Sequence, residues 1–293
     1  MRRFPVILAL LLPQALAAQS PATPPPPRAG EAHEIRLERV LAETATDGSE
    51  TASNEQDKFV ERVVAVREGG VELEFDHAPD VTADTRALIW QFPMRVLRPG
   101  GGGALQLLNG PEVEARLARW LAQSRWPRAL CGRMVYSWSA FRSECEAQSA
   151  VRALTLIDLP TTALRDGALY GDPLAAAPAP LRREALRPGG AAFTATLAID
   201  AEAARRVQAE ETMISDALGG GTPEERAALQ AERAATAPRR IDGTVRIRFE
   251  TDAAGHVLRR IRVTELRTER MDGERTTRTV TETVERRPAR PTP

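Results

Sequence analysis

The sequence is short of rings and of the usual ligands: aromatic residues make up 4% of 293 positions, and there are two Cys, three His and a single Lys, Lys58. Each scarcity closes a route. With so few aromatics the core has to be built from Val, Leu, Ile and Ala. One lysine leaves neither a Walker phosphate loop nor a Ser-x-x-Lys catalytic pair. His33, His77 and His256 stand far from one another and from both cysteines, so there is no short-spaced zinc motif, and no metal or other cofactor is expected. A Gly-x-Ser-x-Gly nucleophile elbow is missing too. Net charge is absent, because 40 Lys plus Arg balance 40 Asp plus Glu. A dedicated nucleic-acid binder would be more basic. After the N-terminal segment no run of about 18 apolar residues occurs, so the mature chain is not expected to span a membrane.

What is present begins with an address. Arg2 and Arg3 precede the apolar run Val6 to Leu12, and Ala15-Leu16-Ala17 follows, which is the anatomy of a secretory signal over residues 1–17. Pro13 stops the run well below the roughly 20 residues of a bilayer crossing. Pro21 and Pro24 to Pro27 make residues 18–30 a polyproline tether. The expected destination is the periplasm or the extracellular space, where thiols pair. Cys131 and Cys145 are therefore expected to form a disulfide, whose loop closure would be worth about 3 kcal/mol.

Hydrophobic periodicity supplies the organisation. Ile35 and Leu37 alternate with charges as in a half-buried strand, Thr44 to Asp57 reads as a polar loop, and Phe59 to Val66 with Val71, Leu73 and Phe75 reads as a β-hairpin. Ile89 to Leu97 is expected as a strand demoted by Pro93. Gly100 to Gly103 form a turn, and Pro111 opens a helix carrying Val113, Leu117, Trp120 and Leu121 on one face. Leu154 to Leu159 reads as a short apolar strand, ending a β-rich part over residues 31–160. Residues 161–190 form a Pro/Gly-rich connection. In residues 191–287, Phe193 to Ile199 is a strand and Asp200 caps a helix reaching about Leu218. Gly219 to Gly221 connect it to a second helix that starts at Thr222 and stops before Pro238. Residues 243–287 then form a meander of long antiparallel strands, with Val and Ile on a dry face and Arg, Thr and Glu on a wet one. From Arg286 the prolines are expected to prevent further pairing, with a disordered tail over 288–293.

The pattern predicts an α+β fold: an antiparallel β-sheet of hairpins and a C-terminal meander, partly covered by about three helices. In outline such a one-sided sheet resembles the half-barrel of bacterial periplasmic lipoprotein carriers, a likeness of architecture alone.

No catalytic residues stand out. Glu144, Glu146 and Asp158 lie near the cysteine loop, but acids in such positions are usually solvated. The strongest regional signal is that Trp90, Trp120, Trp126 and Trp138, every Trp in the chain, fall with Tyr136 in the stretch that holds both cysteines. They form either a local core or an aromatic-lined cleft. The reading that follows is a non-enzymatic envelope protein that binds or carries a small apolar or glycan ligand, or another envelope component. A secreted hydrolase using residues 131–158 and His77 is the alternative, and an assembly partner docked through a sheet edge is a third.

Overall fold

A computed structural model describes residues 26–100, 103–124, 135–136, 139–142, 146–159, 164–186, 189–209, 228 and 238–289. The N-terminal strands are β1 (Ala32–Ala45), β2 (Glu50–Arg67), β3 (Gly70–His77), β4 (Met94–Pro99) and β5 (Gln106–Leu107). Two small hairpins follow, β6 (Val135–Tyr136) with β7 (Ser139–Arg142), and β8 (Leu169–Tyr170) with β9 (Ala179–Pro180). The C-terminal strands are β10 (Arg182–Ala185), β11 (Ala191–Ala198), β12 (Pro238–Thr251), β13 (Val257–Arg270) and β14 (Arg275–Pro288). Ten of these make one open antiparallel sheet in the order β10-β11-β12-β13-β14-β1-β2-β3-β4-β5. β1 and β14 are its seam: their register from His33↔Pro288 to Ala45↔Thr276 zips the two ends of the chain together.

The helices are short, and all but the exposed first lie over one face, called inner below. They are α1 (Ala83–Leu88), α2 (Gly110–Ser124), α3 (Val151–Ile157) and α4 over residues 201–209. Thr82 caps α1 through Oγ1, which accepts from Thr85 N at 3.3 Å. Asp200 caps α4, as its sequence position predicts, accepting from Glu202 N at 2.8 Å and Ala203 N at 3.2 Å. Val113, Leu117 and Leu121 face the core from α2. From the same helix Arg116 holds the turn before β4, donating to the carbonyls of Trp90 at 2.9 Å and Gln91 at 3.4 Å. The core is one continuous cluster that includes Ile35, Phe59, Phe75, Met94, Ile247 and Phe249. Each such side chain contributes roughly 1.5–3 kcal/mol by leaving water.

Several expectations need correction. Thr44 to Asp57 is not a loop: β1 runs to Ala45 and β2 resumes at Glu50 around a tight turn. Both faces of the strands are polar there because neither is fully covered, and alternation reports burial, not strand. Leu154 to Leu159 is largely the helix α3, since a short apolar run has no period with which to tell helix from strand. Ile89 to Pro93 is a turn, with the strand starting at Met94. Residues 164–186 carry three short strands instead of a structureless connection. Arg286 and Arg287 lie within β14, which ends on Pro288, where no further ladder donor is needed. The expected dry and wet faces of β13 are exchanged. Glu250 pairs with Arg259 but Thr251 pairs with Val257, so Leu258 is an extra residue in a β-bulge. That single residue reverses the parity: Ile261 and Val263 face outward, while Arg260 and Arg262 face the core.

The body does not extend over the whole sheet. β3 leaves β2 at Phe59↔His77, and β11 leaves β12 at Ala198↔Thr244. Past those rows β12, β13, β14, β1 and β2 continue as a five-stranded extension to the two hairpin tips.

Candidate functional site

The alternation of the strands determines what the inner face presents. Phe59, Glu61 and Val63 point the same way from β2, and the same face receives Arg98 from β4, His33 from β1, Arg286 from β14, and Arg260 and Arg262 from β13. A row of charge therefore crosses an otherwise apolar face. Glu61, 2% exposed, receives Arg286 on Oε1 and lies 3.6 Å from Arg98 through Oε2. The Arg98 guanidinium also bonds Asp158, which follows α3. The Asp158 carbonyl accepts from Arg260 at 3.5 Å. In a second cluster Arg262 forks onto Asp172 at 2.8 and 3.0 Å and reaches Glu282 at 2.7 Å. The bidentate geometry fits a guanidinium and would not fit an ammonium.

Burial acts on these groups in opposite senses. It pushes the Asp158 carboxyl above its ordinary range, against the pull of Arg98. It pushes His33 down, with the Arg286 charge adding to the effect, and it lowers Arg260. For Asp172 burial also acts upward, but the bonds from Arg262 outweigh it and the carboxyl is held low. Arg262 is correspondingly held above its ordinary value by Asp172 and Glu282, despite burial. Three guanidiniums thus meet four carboxylates and Arg260 meets a main-chain carbonyl, which fastens the cover to the sheet.

Along the same face toward the tips the chemistry changes. Leu41 lies opposite Val280, and Leu266 is diagonal to it; all three are half-buried. α4 reaches this zone through Gln208, 3.5 Å from Thr268. At its border is Asp57, which has no ion-pair partner among the described residues. Burial, with the neighbouring Glu55 charge, raises its pKa to about 6.

A third constellation lies at the β12–β13 turn. Asp252 Oδ1 accepts from the His256 main-chain N at 2.9 Å, and Oδ2 lies 3.0 Å from the ring Nδ1. This holds the imidazole through Nδ1. Beside it a crevice of about 60 Å³ is lined by Arg183, Gly190, Phe193, Thr251 and Asp252, room for a water or two and no more. Thr251 cannot serve as a nucleophile there, since its hydroxyl is tied to both the N–H and the carbonyl of Ala191 at 3.2 Å. Among the described residues no group of His, Cys, Asp and Glu is placed to hold a metal, and no helix is long and apolar enough to cross a membrane.

The described residues among those singled out from sequence lie in several elements. Trp90 is buried in the turn before β4, its Nε1 without a hydrogen-bond partner among the described residues, and Trp120 packs half-buried against the core from α2. Tyr136 belongs to β6. Trp126, Trp138, Cys131, Cys145, Glu144, the signal segment and the second predicted helix, apart from residue 228, lie outside the described residues. His77 is buried, its ring 5.3 Å from that of Phe92 and 6.2 Å from that of Phe59. Of the acids near the cysteines, Asp158 joins the charge row and Glu146 is exposed. Sequence reasoning passed over Glu61, Arg98, Arg286 and the Asp252–His256 pair. A signal existed for two of them: Glu61 in Phe59-x-Glu61-x-Val63 and Arg98 in Met94-x-Val96-x-Arg98 occupy the core parity of an apolar alternation.

No family model matches the chain, and no curated protein matches it. A solved structure concerning lipid–protein interactions in lipovitellin is similar at 8% identity with a TM-score of 0.40. The match covers 91% of this chain and 26% of that one, so the chain spans about a quarter of its length.

Proposed function

We propose that this chain is an exported, non-enzymatic binding module of the bacterial envelope, which holds an apolar ligand on the inner face of its sheet. The observation that carries the reading is the stretch at Leu41, Val280 and Leu266, where apolar side chains continue beyond the fully buried core and remain half-buried. The Arg–carboxylate row supports it from the other side. Its charges satisfy one another, so they serve to hold the scaffold and leave recognition to the apolar surface beyond. Export rests on the Arg2–Ala17 segment, and the half-barrel outline belongs to the same proposal.

The test is mass spectrometry of small molecules retained by the full chain purified from the cell envelope, beside a Leu41→Glu, Val280→Glu double variant. A lipid-like molecule retained by the parent and lost from a folded double variant is the expected result. A folded parent that carries nothing, or full-length reduced chain found in the cytosol, overturns it. A hydrolytic role is the second reading, favoured by the oriented Asp252–His256 pair, with His256 as general base toward a water. It requires that His256→Ala abolish hydrolysis of model esters without loss of fold.

A further inference from the structure

The edges of the sheet are guarded unequally. A free edge offers a row of unpaired N–H and C=O groups, and proteins blunt such rows with short strands, proline, bulges or charge. β5 is two residues long. β10 is four residues long, exposes Arg182, Arg183 and Glu184, and adjoins Pro180. The free part of β12 opens with Pro238 and a register break before Arg240. β2 differs. From Glu50 to Asp57 it pairs with β1 without interruption, from Thr44↔Glu50 to Leu37↔Asp57, and β3 reaches only Phe59 on its other side. These eight residues contain no Pro and no Lys. The bulge in β2 lies farther along, at Val63/Ala65.

Among the described residues, charge of one sign is the sole guard on this edge. Residues 38–57 hold six carboxylates against Arg39 alone, a net −5. Glu50 and Asp57 have no ion-pair partner among the described residues, and Glu55 has only Arg39 at 3.9 Å. Such an edge repels a second copy of itself, because antiparallel addition would bring acids against acids. It attracts a strand of opposite charge.

We propose that β2 from Glu50 to Asp57 is a docking edge for an extended, basic segment of another protein, which adds as a further antiparallel strand beside β2 and sets its cations against Glu50, Glu55 and Asp57. Main-chain pairing supplies the affinity and the carboxylates supply the choice of partner. This does not depend on the apolar-ligand reading, which concerns the inner face near Leu41 and Val280, and the two are tested by different readouts.

The probes are a synthetic octapeptide of lysine, valine and threonine with lysine on both faces of the strand, and its glutamate counterpart, titrated against the full chain by fluorescence anisotropy at low salt. Amide hydrogen exchange is followed in parallel. The lysine peptide is expected to bind, the glutamate peptide not to bind, and the alternate amides of residues 50–57 that point away from β1 to gain protection at least tenfold. Glu50→Lys with Glu55→Lys should weaken the lysine peptide at least tenfold and confer binding of the glutamate peptide. Should the double variant fail to fold, Glu50→Lys alone, on an exposed position, is read for the same change in preference. Equal binding of both peptides, unchanged preference in the variant, protection confined to other strands, or protection of residues 50–57 through self-association without peptide would each overturn the proposal.

Discussion

The body of the sheet and its five-stranded extension share strands, register and alternation, yet treat inward-facing charge differently. In the body Glu61, Asp158, Asp172 and Glu282 each have a guanidinium, and α3 with the segment around Asp172 closes over them. In the extension Asp57 faces the same way, one row past Phe59, without a counter-ion among the described residues, and its carboxyl titrates near 6. A covering layer makes pairing obligatory, because an unpaired charge beneath it would cost several kcal/mol. Where the cover thins, an unpaired carboxylate survives by taking up a proton more readily.

The comparison can be broken most severely at Leu258. Deleting it removes the bulge that turns Arg260 and Arg262 inward, so we expect loss of the cooperative unfolding transition in circular dichroism. Next in size is Glu61→Ala, which takes from the buried Arg286 its carboxylate and leaves Arg98 with Asp158 alone, and should cost about 3–5 kcal/mol in urea unfolding at pH 7. Asp57→Asn acts in the opposite direction. Its folded pKa of about 6 lies above the ordinary 3.8, so the protonated form suits the fold. The stability this group allows is complete below about pH 4 and is lost as pH rises through 6. The Asn variant should therefore exceed the parent by roughly 1–2 kcal/mol at pH 7.5, after allowance for solvent screening, and match it at pH 4. A variant no more stable at either pH would show that Asp57 has a partner in solution. The smallest effect is expected for Val263→Thr, within about 0.5 kcal/mol, because the bulge places Val263 on the outer face. A loss of about 2 kcal/mol there would mean that the outer face is covered.

Much of the sheet was legible in the sequence. The Phe59–Phe75 hairpin, the Phe193 strand, the α2 helix and the meander follow from alternation of period two or recurrence near 3.6, and Asp200 marks the start of α4. The hairpin tip at 45–50 was not legible, because its residues are polar on both faces. Nor was the exchange of faces in β13, since an unsignalled extra residue changes the meaning of every position after it. The charge row was half legible: Glu61 and Arg98 interrupt apolar alternations at core parity, but their partners come from 60 or 225 positions away along the chain. Pairing at that separation has no local pattern. Of the tryptophans crowded along the chain, Trp90 and Trp120 pack with the one core, and Arg116 of α2 bonds the Trp90 carbonyl.

Lys58 stands one residue beyond the docking edge, beside the point where β3 leaves β2, with its ammonium 2.7 Å from Asp80 on the exposed surface. Since every other cationic side chain is arginine, apart from histidine, it offers a single side-chain amine for acylating dyes or photo-crosslinkers. A reporter attached there would sit at the shoulder between body and extension. The molecule therefore carries a ready handle for capturing whatever approaches that flank, with no cysteine engineering required.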